Sequence, residues 1–126
     1  MSFASDIDKA YDKKVYGLMD KVTRKVVLDV QSDLSKATPV DTGRARSNWL
    51  PSVGLPNSTT TTSTNGSPMP SFAGYKVGMS LFISNNLPYI SRLNEGWSKQ
   101  APAMFVEKAV QKAVNRIKEA VRAIKI

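Results

Sequence analysis

A long amphipathic helix at the start of this chain constrains its fold more than any other sequence feature. Apolar side chains recur there at spacings of three or four, which is the repeat of one helical face. They are Tyr11, Val15, Leu18, Val22, Val26, Val30 and Leu34. Ser5 is a candidate N-cap, and Pro39 disfavours helical geometry at Thr38. We therefore predict one continuous helix over residues 3–36.

A second amphipathic helix is predicted at the other end of the chain. Its apolar positions again recur at spacings of three or four. They are Val110, Val114, Ile117, Val121 and Ile124. Pro102 is well placed in the first turn, where its missing N–H has no cost. Basic side chains occupy other positions of this helix, at Lys108, Lys112, Arg116, Lys118, Arg122 and Lys125.

Two strands and a short helix are predicted between the long helices. The strands cover residues 44–53 and 77–84. The short helix begins at Pro88, continues to about Asn94 and ends at Gly96, a residue type suited to helix C-termini. This order predicts an α+β fold, in which the long N-terminal helix and the C-terminal helix pack on a small antiparallel β-sheet.

A polar segment separates the two predicted strands. Residues 57–67 contain only Asn, Ser, Thr and Gly, and prolines at positions 51, 56, 68 and 70 flank them. Such a run buries no apolar area that would offset the entropy lost on ordering. We therefore expect a long flexible loop at 57–67 within a single domain that spans residues 1–126. Its threonines would be able to order against a partner subunit.

Composition excludes several kinds of site. The chain has no Cys and no His, which rules out disulfides, thiolate metal sites, zinc sites with His ligands and His-based acid–base catalysis. We expect no cofactor. No apolar run approaches the ~20 residues of a membrane span, and the basic final helix lacks the Trp, Phe or Leu anchors typical of membrane-surface helices. A membrane partner is therefore not expected.

The net charge of +8 is unevenly distributed. Residues 1–43 hold seven basic and seven acidic side chains, whereas residues 44–126 hold eleven basic and three acidic. A polyanion such as DNA would be attracted to the basic part. A solvated face that keeps the protein soluble is the alternative. No helix-turn-helix, zinc-finger spacing or aromatic RNA-binding motif accompanies the charge, so sequence-specific DNA reading is not expected.

The triplet Asp41-Thr42-Gly43 suggests an aspartic protease, in which two such loops share a proton between their carboxylates. There the triplet would follow an apolar strand, whereas here it follows a helix end and a proline. Arg44 and Arg46 would also keep both carboxylates ionised. A structural role is favoured: Asp41 accepts backbone N–H groups and Gly43 permits a turn with positive φ. We predict that the chain is not an enzyme.

Three large aromatic residues lie beside the predicted turns. Such residues serve as core anchors or as interface hot spots. Trp49 lies in a predicted strand, which favours the core. Trp97 precedes the polar residues Ser98 and Gln100, which favours an interface, and Tyr89 is compatible with either role.

Two segments resemble the hallmark motifs of the tail-completion, or neck, proteins of long-tailed bacteriophages. The first, residues 38–49, reads TPVDTGRARSNW and follows the long N-terminal helix. The second, residues 83–102, reads ISNNLPYISRLNEGWSKQAP and precedes the closing helix. Both motifs occur in the order typical of that family, in a small basic chain without Cys. Residues 54–76 depart from the family pattern, in which a more helical or ordered connection is expected, whereas this chain has the Ser/Thr tract.

This resemblance implies a structural virion protein that joins the tail tube to the DNA-filled head. Members of the family form rings, commonly of six copies, between a head-completion or connector protein and the tail terminator or tube. The resemblance also implies localisation at the head–tail interface of the virion, after a stage in the host cytoplasm, and non-specific contact with genomic DNA in the channel. The expected interface and structural residues are Pro39, Asp41, Thr42, Gly43, Arg44, Arg46, Trp49, Asn85, Asn86, Pro88, Tyr89, Gly96, Trp97, Ser98, Gln100 and Pro102.

Two alternatives remain open at this point. A head-closure or tail-terminator protein of the same neck shares the size and the ring symmetry. A basic DNA-binding module that does not read sequence belongs to a different class, and salt-dependent affinity for free duplex DNA would favour it.

Overall fold

The computed structural model describes residues 2–40, 43–97 and 103–124. The helices are α1 (Phe3–Ala37), α2 (Arg44–Ser47), α3 (Ile90–Arg92) and α4 (Phe105–Arg122), and the strands are β1 (Leu50–Val53) and β2 (Leu81–Ser84). The predicted α+β fold is confirmed: two long helices accompany a small antiparallel sheet. Among the described residues, no helix has the length and apolar character needed to cross a membrane.

Helix α1 has the predicted extent but a different N-cap. The side chain of Ser2 accepts a hydrogen bond from the backbone N–H of Ser5 at 3.1 Å, so the cap lies one turn before the predicted one. At the other end, Thr38 has extended backbone angles (φ −71°, ψ 133°). The proline that follows excludes helical geometry there, and α1 therefore ends at Ala37.

Helix α4 runs antiparallel to α1 and closes the core. Buried Leu34, Trp49, Phe105 and Ala109 form the central cluster. Farther along α4, Arg116 forms an ion pair with Asp33. The core therefore lies between the C-terminal half of α1, the start of the sheet and the first turns of α4.

The most buried face of α4 is not the predicted valine and isoleucine stripe. Phe105, Ala109 and Ala113 are its buried residues, whereas Val110 is only half-buried and Val121 is 46% exposed. Alanines leave room for a neighbouring helix to approach closely. The spacing of large apolar residues, on which the prediction was based, does not identify such a face. The helix begins at Phe105, and the predicted first-turn proline, Pro102, lies outside the described residues.

The sheet has two short antiparallel strands, with Leu50 opposite Ser84 and Val53 opposite Leu81. Both predicted strands are too long. Residues 44–47 form helix α2 instead, because the turn at Gly43 (φ 87°) starts a helical turn. Residues 77–80 precede β2 and include a turn at Gly78 (φ 99°). Each observed strand therefore keeps only the last four residues of its prediction.

The short helix begins later than predicted. Regular helix covers only Ile90–Arg92, and a wider turn, Leu93–Trp97, continues it. This turn breaks at Gly96, where φ is 96°, so the predicted role of that glycine as a terminator is confirmed. Asn94 also caps α4, because its side-chain oxygen accepts the N–H of Val106 at 2.9 Å.

The long connection between the strands has no helix or strand in residues 54–80, yet it contacts α1 at defined points. The amide of Gln31 donates to the carbonyl oxygens of Trp49 at 3.2 Å and of Pro68 at 2.7 Å. The guanidinium of Arg24 lies over the ring of Phe72, 4.9 Å from its centre. The connection therefore follows the surface of α1.

Candidate assembly surfaces

The two motifs of the sequence meet in space beside helix α2. The side-chain amide of Asn85 donates to the carbonyl oxygen of Ala45 at 3.1 Å, and its oxygen accepts the N–H of Leu87 at 3.2 Å. The next residue, Asn86, donates to the carbonyl oxygens of Asn57 at 2.7 Å and Thr59 at 2.9 Å. The second motif is thereby bonded both to the first motif and to the Ser/Thr segment. We call this hydrogen-bonded assembly of residues 43–49, 57–67 and 85–87 the polar hub.

Asn48 is the centre of the polar hub, and its side chain is fully buried. Its amide donates to the carbonyl oxygens of Arg44 at 2.8 Å and Thr61 at 3.0 Å, while its oxygen accepts the N–H of Thr61 at 2.9 Å. Ser47, also fully buried, accepts the N–H of Gly66 at 2.8 Å and donates to the carbonyl oxygen of Gly43 at 2.8 Å. These bonds hold the Ser/Thr segment against α2.

Asn48 and Ser47 were not among the predicted site residues, although both lie within the first motif. Composition explains the omission: residues 57–67 have no apolar side chains to bury, and their attachment is entirely polar. A buried amide that satisfies both backbone groups of one distant residue leaves no periodic trace in a sequence. The segment has no regular secondary structure, as expected, and its flexibility stays a prediction.

Gly43 occupies a position that only glycine fits. Its φ is 87°, and a Cβ atom added there would lie 2.7 Å from the carbonyl oxygen of Thr64. The turn predicted at this glycine is confirmed, and close contact with the Ser/Thr segment adds a second reason for it. Asp41 and Thr42 lie outside the described residues, so the predicted hydrogen bonds of Asp41 stay a prediction.

The two arginines of the first motif bind backbone oxygens. Arg46 donates to the carbonyl oxygen of Thr38 at 3.0 Å and to that of Lys36 at 3.2 Å. It therefore satisfies carbonyl groups that the end of a helix leaves without partners. Arg44 donates to the carbonyl oxygen of Thr61 at 3.2 Å. Both side chains thus fix the path of the chain around α2.

Trp49 lies in the core, as predicted, and it also anchors the polar hub there. Its ring is 6% exposed, and its indole N–H donates to the hydroxyl oxygen of Thr38 at 2.8 Å. That hydroxyl in turn donates to the carbonyl oxygen of Leu34. Pro39 is buried beside them. The end of α1 and the start of β1 are thereby joined by one chain of hydrogen bonds.

The outer part of the second motif is more exposed. Pro88 is on the surface, and Tyr89 is 37% exposed. A Cβ atom at Gly96 would lie 3.1 Å from that of Ala103, so this glycine also permits a close approach of two chain segments. The side chain of Trp97 and the residues Ser98, Gln100 and Pro102 lie outside the described part of the chain. Their interface role stays a prediction.

The outer part of the second motif is one candidate surface. A second surface lies at the opposite end of α1. Phe3, Ile7 and Tyr11 are 81%, 51% and 59% exposed, and together they form an uncovered apolar stripe. The stripe leads into a groove of about 350 Å³ where the end of α4 meets α1. The groove is lined by Val15, Leu18, Met19, Val22, Thr23, Val121 and Ile124. We refer to these two features as the stripe and the groove.

A third surface is the basic face of α4. Its exposed basic side chains are Lys108, Lys112, Arg116, Lys118 and Arg122. Arg116 pairs through both of its terminal nitrogens with Asp33, and this hydrogen bonding raises the pKa of Arg116 above its usual value. Glu107 accepts both hydrogen bonds donated by Asn94. Besides Arg116, whose charge is paired with Asp33, the face therefore carries four basic side chains against two acidic ones, Glu107 and Glu119.

Comparison of the chain with protein-family models, with curated proteins and with solved structures found no match. In residues 2–40, 43–97 and 103–124, no group of three or more acidic side chains lies close enough together to hold a metal ion.

Proposed function

We propose that this chain is a structural subunit of the neck of a long-tailed bacteriophage, and that it joins the tail tube to the DNA-filled head as part of an oligomeric ring. One observation carries the proposal. The two segments that resemble the tail-completion family are bonded to each other through Asn85 and the carbonyl oxygen of Ala45, 3.1 Å apart. Because the two motifs that resemble this family form one hydrogen-bonded unit, a shared structural role is supported.

The bonding within that unit favours assembly over catalysis. Gly43 accommodates a close backbone contact, Arg46 caps a helix end, and Asn48 holds the Ser/Thr segment. These residues therefore hold the backbone in place beneath the surface that the unit presents. Tyr89, at the exposed edge of the unit, is the type of residue that forms hot spots in protein interfaces.

A joining assay tests this function. Tails and DNA-filled heads from a phage that lacks this protein would be mixed with the purified chain, and joined particles would be counted by electron microscopy. We expect joining to be restored, and Tyr89→Ala to reduce it roughly 30-fold, the effect of losing an interface hot spot. Tyr16→Ala, which alters a tyrosine on the exposed surface of α1, is the matched control. Failure of the wild-type chain to restore joining would refute the proposal.

The particle to which the free protein binds separates the neck alternatives. Binding to tails supports a completion protein, whereas binding to heads alone supports the head-closure alternative. Sedimentation of the chain with each particle, followed by gel analysis, measures this directly. The ring, commonly of six copies, is part of the same proposal, and electron microscopy of the tail ends would count the copies.

The role of the Ser/Thr segment calls for surface substitutions rather than a deletion. Removing residues 58–66 would take away the Thr61 partner of buried Asn48, so the fold would suffer along with the interface. Thr60 and Thr62 are exposed. We expect Thr60→Asp with Thr62→Asp to keep the fold and to lower joining, if the segment contacts a neighbour. Unchanged joining would remove the segment from the interface.

A DNA-binding module is the second candidate, and the exposed basic face of α4 is the observation that favours it. Fluorescence anisotropy with a labelled duplex at several salt concentrations would test it. Tight binding at physiological salt that weakens steeply with added salt, and that is lost in Lys108→Glu with Lys112→Glu, would support this candidate. Weak binding by the isolated subunit agrees with the neck proposal.

A further inference from the structure

The stripe lies on α1 alone, whereas the groove lies where α1 meets the end of α4. The end of α4 packs beside Val15, Leu18 and Val22 and leaves the groove open. Before that point, α1 extends by about three turns, because a helix has 3.6 residues per turn. Phe3 at its start is 81% exposed, so an apolar face continues where the described part of the chain supplies no cover.

We infer that the stripe of one copy of this chain fills the groove of a second copy. The stripe offers large apolar side chains that project from a helix, and the groove offers an apolar concavity bounded by two helices. The projecting side chains of the stripe would therefore fill the concavity of the groove. The contact joins two different patches, so it either closes as a reciprocal pair or continues from copy to copy around a ring.

Charge complementarity supports a second copy as the occupant. Residues 3–12, which carry the stripe, hold three acidic side chains and one basic. Residues 13–25, which flank the groove, hold five basic side chains and one acidic. Two of these cations are paired, Arg24 with Asp20 and Lys25 with Asp29, and Lys13, Lys14 and Lys21 add to the positive charge. At the same end of α4, Lys118 and Arg122 outnumber Glu119. The acidic surroundings of the stripe therefore meet the net positive charge that flanks the uncharged groove, and opposite potentials favour such an encounter.

The area available fits a specific contact when both grooves of a pair are filled. A covered Phe or Tyr ring buries about 150–250 Å². At the exposures of 81% for Phe3 and 59% for Tyr11, the four rings of a reciprocal pair would together bury roughly 500 Å². Ile7 and the aliphatic groove residues add to this. The total approaches the ~1,000 Å² that a specific interface needs.

The same charges disfavour a lipid surface. Helices that lie on membranes carry Lys and Arg beside their apolar face, which attract anionic headgroups. The stripe instead has Asp6, Asp8 and Asp12 as its charged neighbours, with Lys9 as the single cation of residues 3–12. Repulsion from anionic lipid would therefore oppose insertion of this segment.

The first test is the mass of the purified full chain as a function of concentration, measured by light scattering after size exclusion. We expect a concentration-dependent dimer or ring. Ile7→Arg places a cation against the positive charge that flanks the groove and should weaken self-association roughly 30-fold or more, as loss of a hot spot does. Circular dichroism would verify that the helices persist, which is expected because Ile7 is 51% exposed.

Tyr16→Arg is the matched control. Tyr16 is 55% exposed and lies nine positions after Ile7, which is about half a turn around the helix. The two variants therefore carry the same added charge on opposite faces of α1. We expect Tyr16→Arg to keep the wild-type mass. Equal loss of self-association in both variants would overturn the inference.

Disulfide trapping locates the contact without disturbing the fold. The chain has no natural Cys, so Ile7→Cys and Met19→Cys variants can be mixed and oxidised. A mixed disulfide dimer is expected, and a mixture of Ile7→Cys with Tyr16→Cys should yield much less of it. Absence of a mixed dimer in the first mixture would contradict the placement of the stripe in the groove.

This contact does not rest on the neck function. A wild-type chain that stays monomeric at every concentration, in the absence of other particles, overturns the inference while the joining assay can still succeed. Binding to phosphatidylglycerol vesicles that Ile7→Arg abolishes, from a chain that is otherwise monomeric, would assign the stripe to lipid and would also overturn it. Conversely, self-association through the stripe with no restoration of joining would support the contact and refute the neck role.

Discussion

The two halves of α1 have the same kind of sequence pattern and opposite environments. All of its buried residues, Val27, Gln31, Asp33 and Leu34, lie in the second half. In the first half, Phe3, Ile7 and Tyr11 are mostly exposed. Periodic apolar residues thus identify a face in both halves. Whether that face is a core or a contact surface depends on what lies opposite, namely α4 and Trp49 in one case and a proposed second copy in the other.

Polar side chains along α1 are used in two different ways. Near the second half, Gln31 and Asp33 bond to distant parts of the chain. Closer to the middle of the helix, Asp20 pairs with Arg24 only one turn away. Long-range bonds fix tertiary structure, whereas local pairs support the helix itself. Substitutions of one residue type in the two environments therefore measure the contrast.

The largest expected effect is at Phe105, which is 2% exposed in the core cluster. Phe105→Ala should lower the free energy of unfolding by about 3–5 kcal/mol, because it leaves a cavity among large side chains. The same substitution at exposed Phe3 should change it by less than about 0.5 kcal/mol. Chemical denaturation of the two variants, under conditions where the chain is monomeric, checks this. Similar losses at both positions would remove the distinction between the core, in which Phe105 packs with Leu34 of the second half of α1, and the exposed first half.

The polar hub gives the next largest effect. Asn48→Ala deletes three hydrogen bonds to backbone groups, each with a net contribution of about 1 kcal/mol. We expect a loss of roughly 3 kcal/mol and faster amide exchange across residues 57–67. Thr60→Ala, on the exposed side of the same segment, should leave both quantities close to wild type. Exchange that does not change in Asn48→Ala would show that other bonds hold the segment.

Alanine substitutions at two glycines are expected to change the stability of the fold in opposite directions. Gly43→Ala should destabilise by about 1–3 kcal/mol, since φ is positive and the added Cβ would press on the carbonyl oxygen of Thr64. Gly17 lies within α1 with nothing within 4 Å of an added Cβ. Gly17→Ala should therefore stabilise the helix by about 0.5–1 kcal/mol. Thermal unfolding of both variants measures the two signs, and a loss in Gly17→Ala would reveal an unrecognised contact there.

The smallest effect is expected from the pair of Asp20 with Arg24, whose atoms are 3.0 Å apart. It spans one helical turn at a partly exposed site, so Asp20→Asn should cost only about 0.3–0.5 kcal/mol. Added salt should lessen that difference. A clearly larger loss, measured by denaturation at low salt, would indicate that Arg24 also depends on this pair to keep its position over Phe72.

The fold was predictable where one residue type has one strong local consequence. Pro39 ends α1, Gly96 ends the short helical region, and Trp49 lies in the core, as its size and position favour. The strand predicted over 44–53 failed in its first half. There, Arg44, Ala45, Arg46 and Ser47 follow Gly43, whose turn and whose carbonyl bond to Ser47 favour one turn of helix.

The site was less predictable, because its key contacts connect parts of the chain that no short-range rule relates. Asn48 reaches Thr61, and Asn85 reaches back to Ala45. An amide in a sequence reads as polar and exposed, so its burial cannot be inferred until the partner backbone is in place. The alanines of α4 present the reverse case, since their small size rather than their hydrophobicity determines which face α1 covers.

The purely polar attachment of the Ser/Thr segment has a consequence for how it would detach. Undocking residues 57–67 exposes little apolar surface, and heat capacity and denaturant sensitivity both follow the surface exposed. We therefore expect an opening step with a much smaller heat-capacity change and a much smaller dependence on urea than global unfolding has. On this expectation the segment would leave and rejoin α2 across a wide temperature range while the core stays folded.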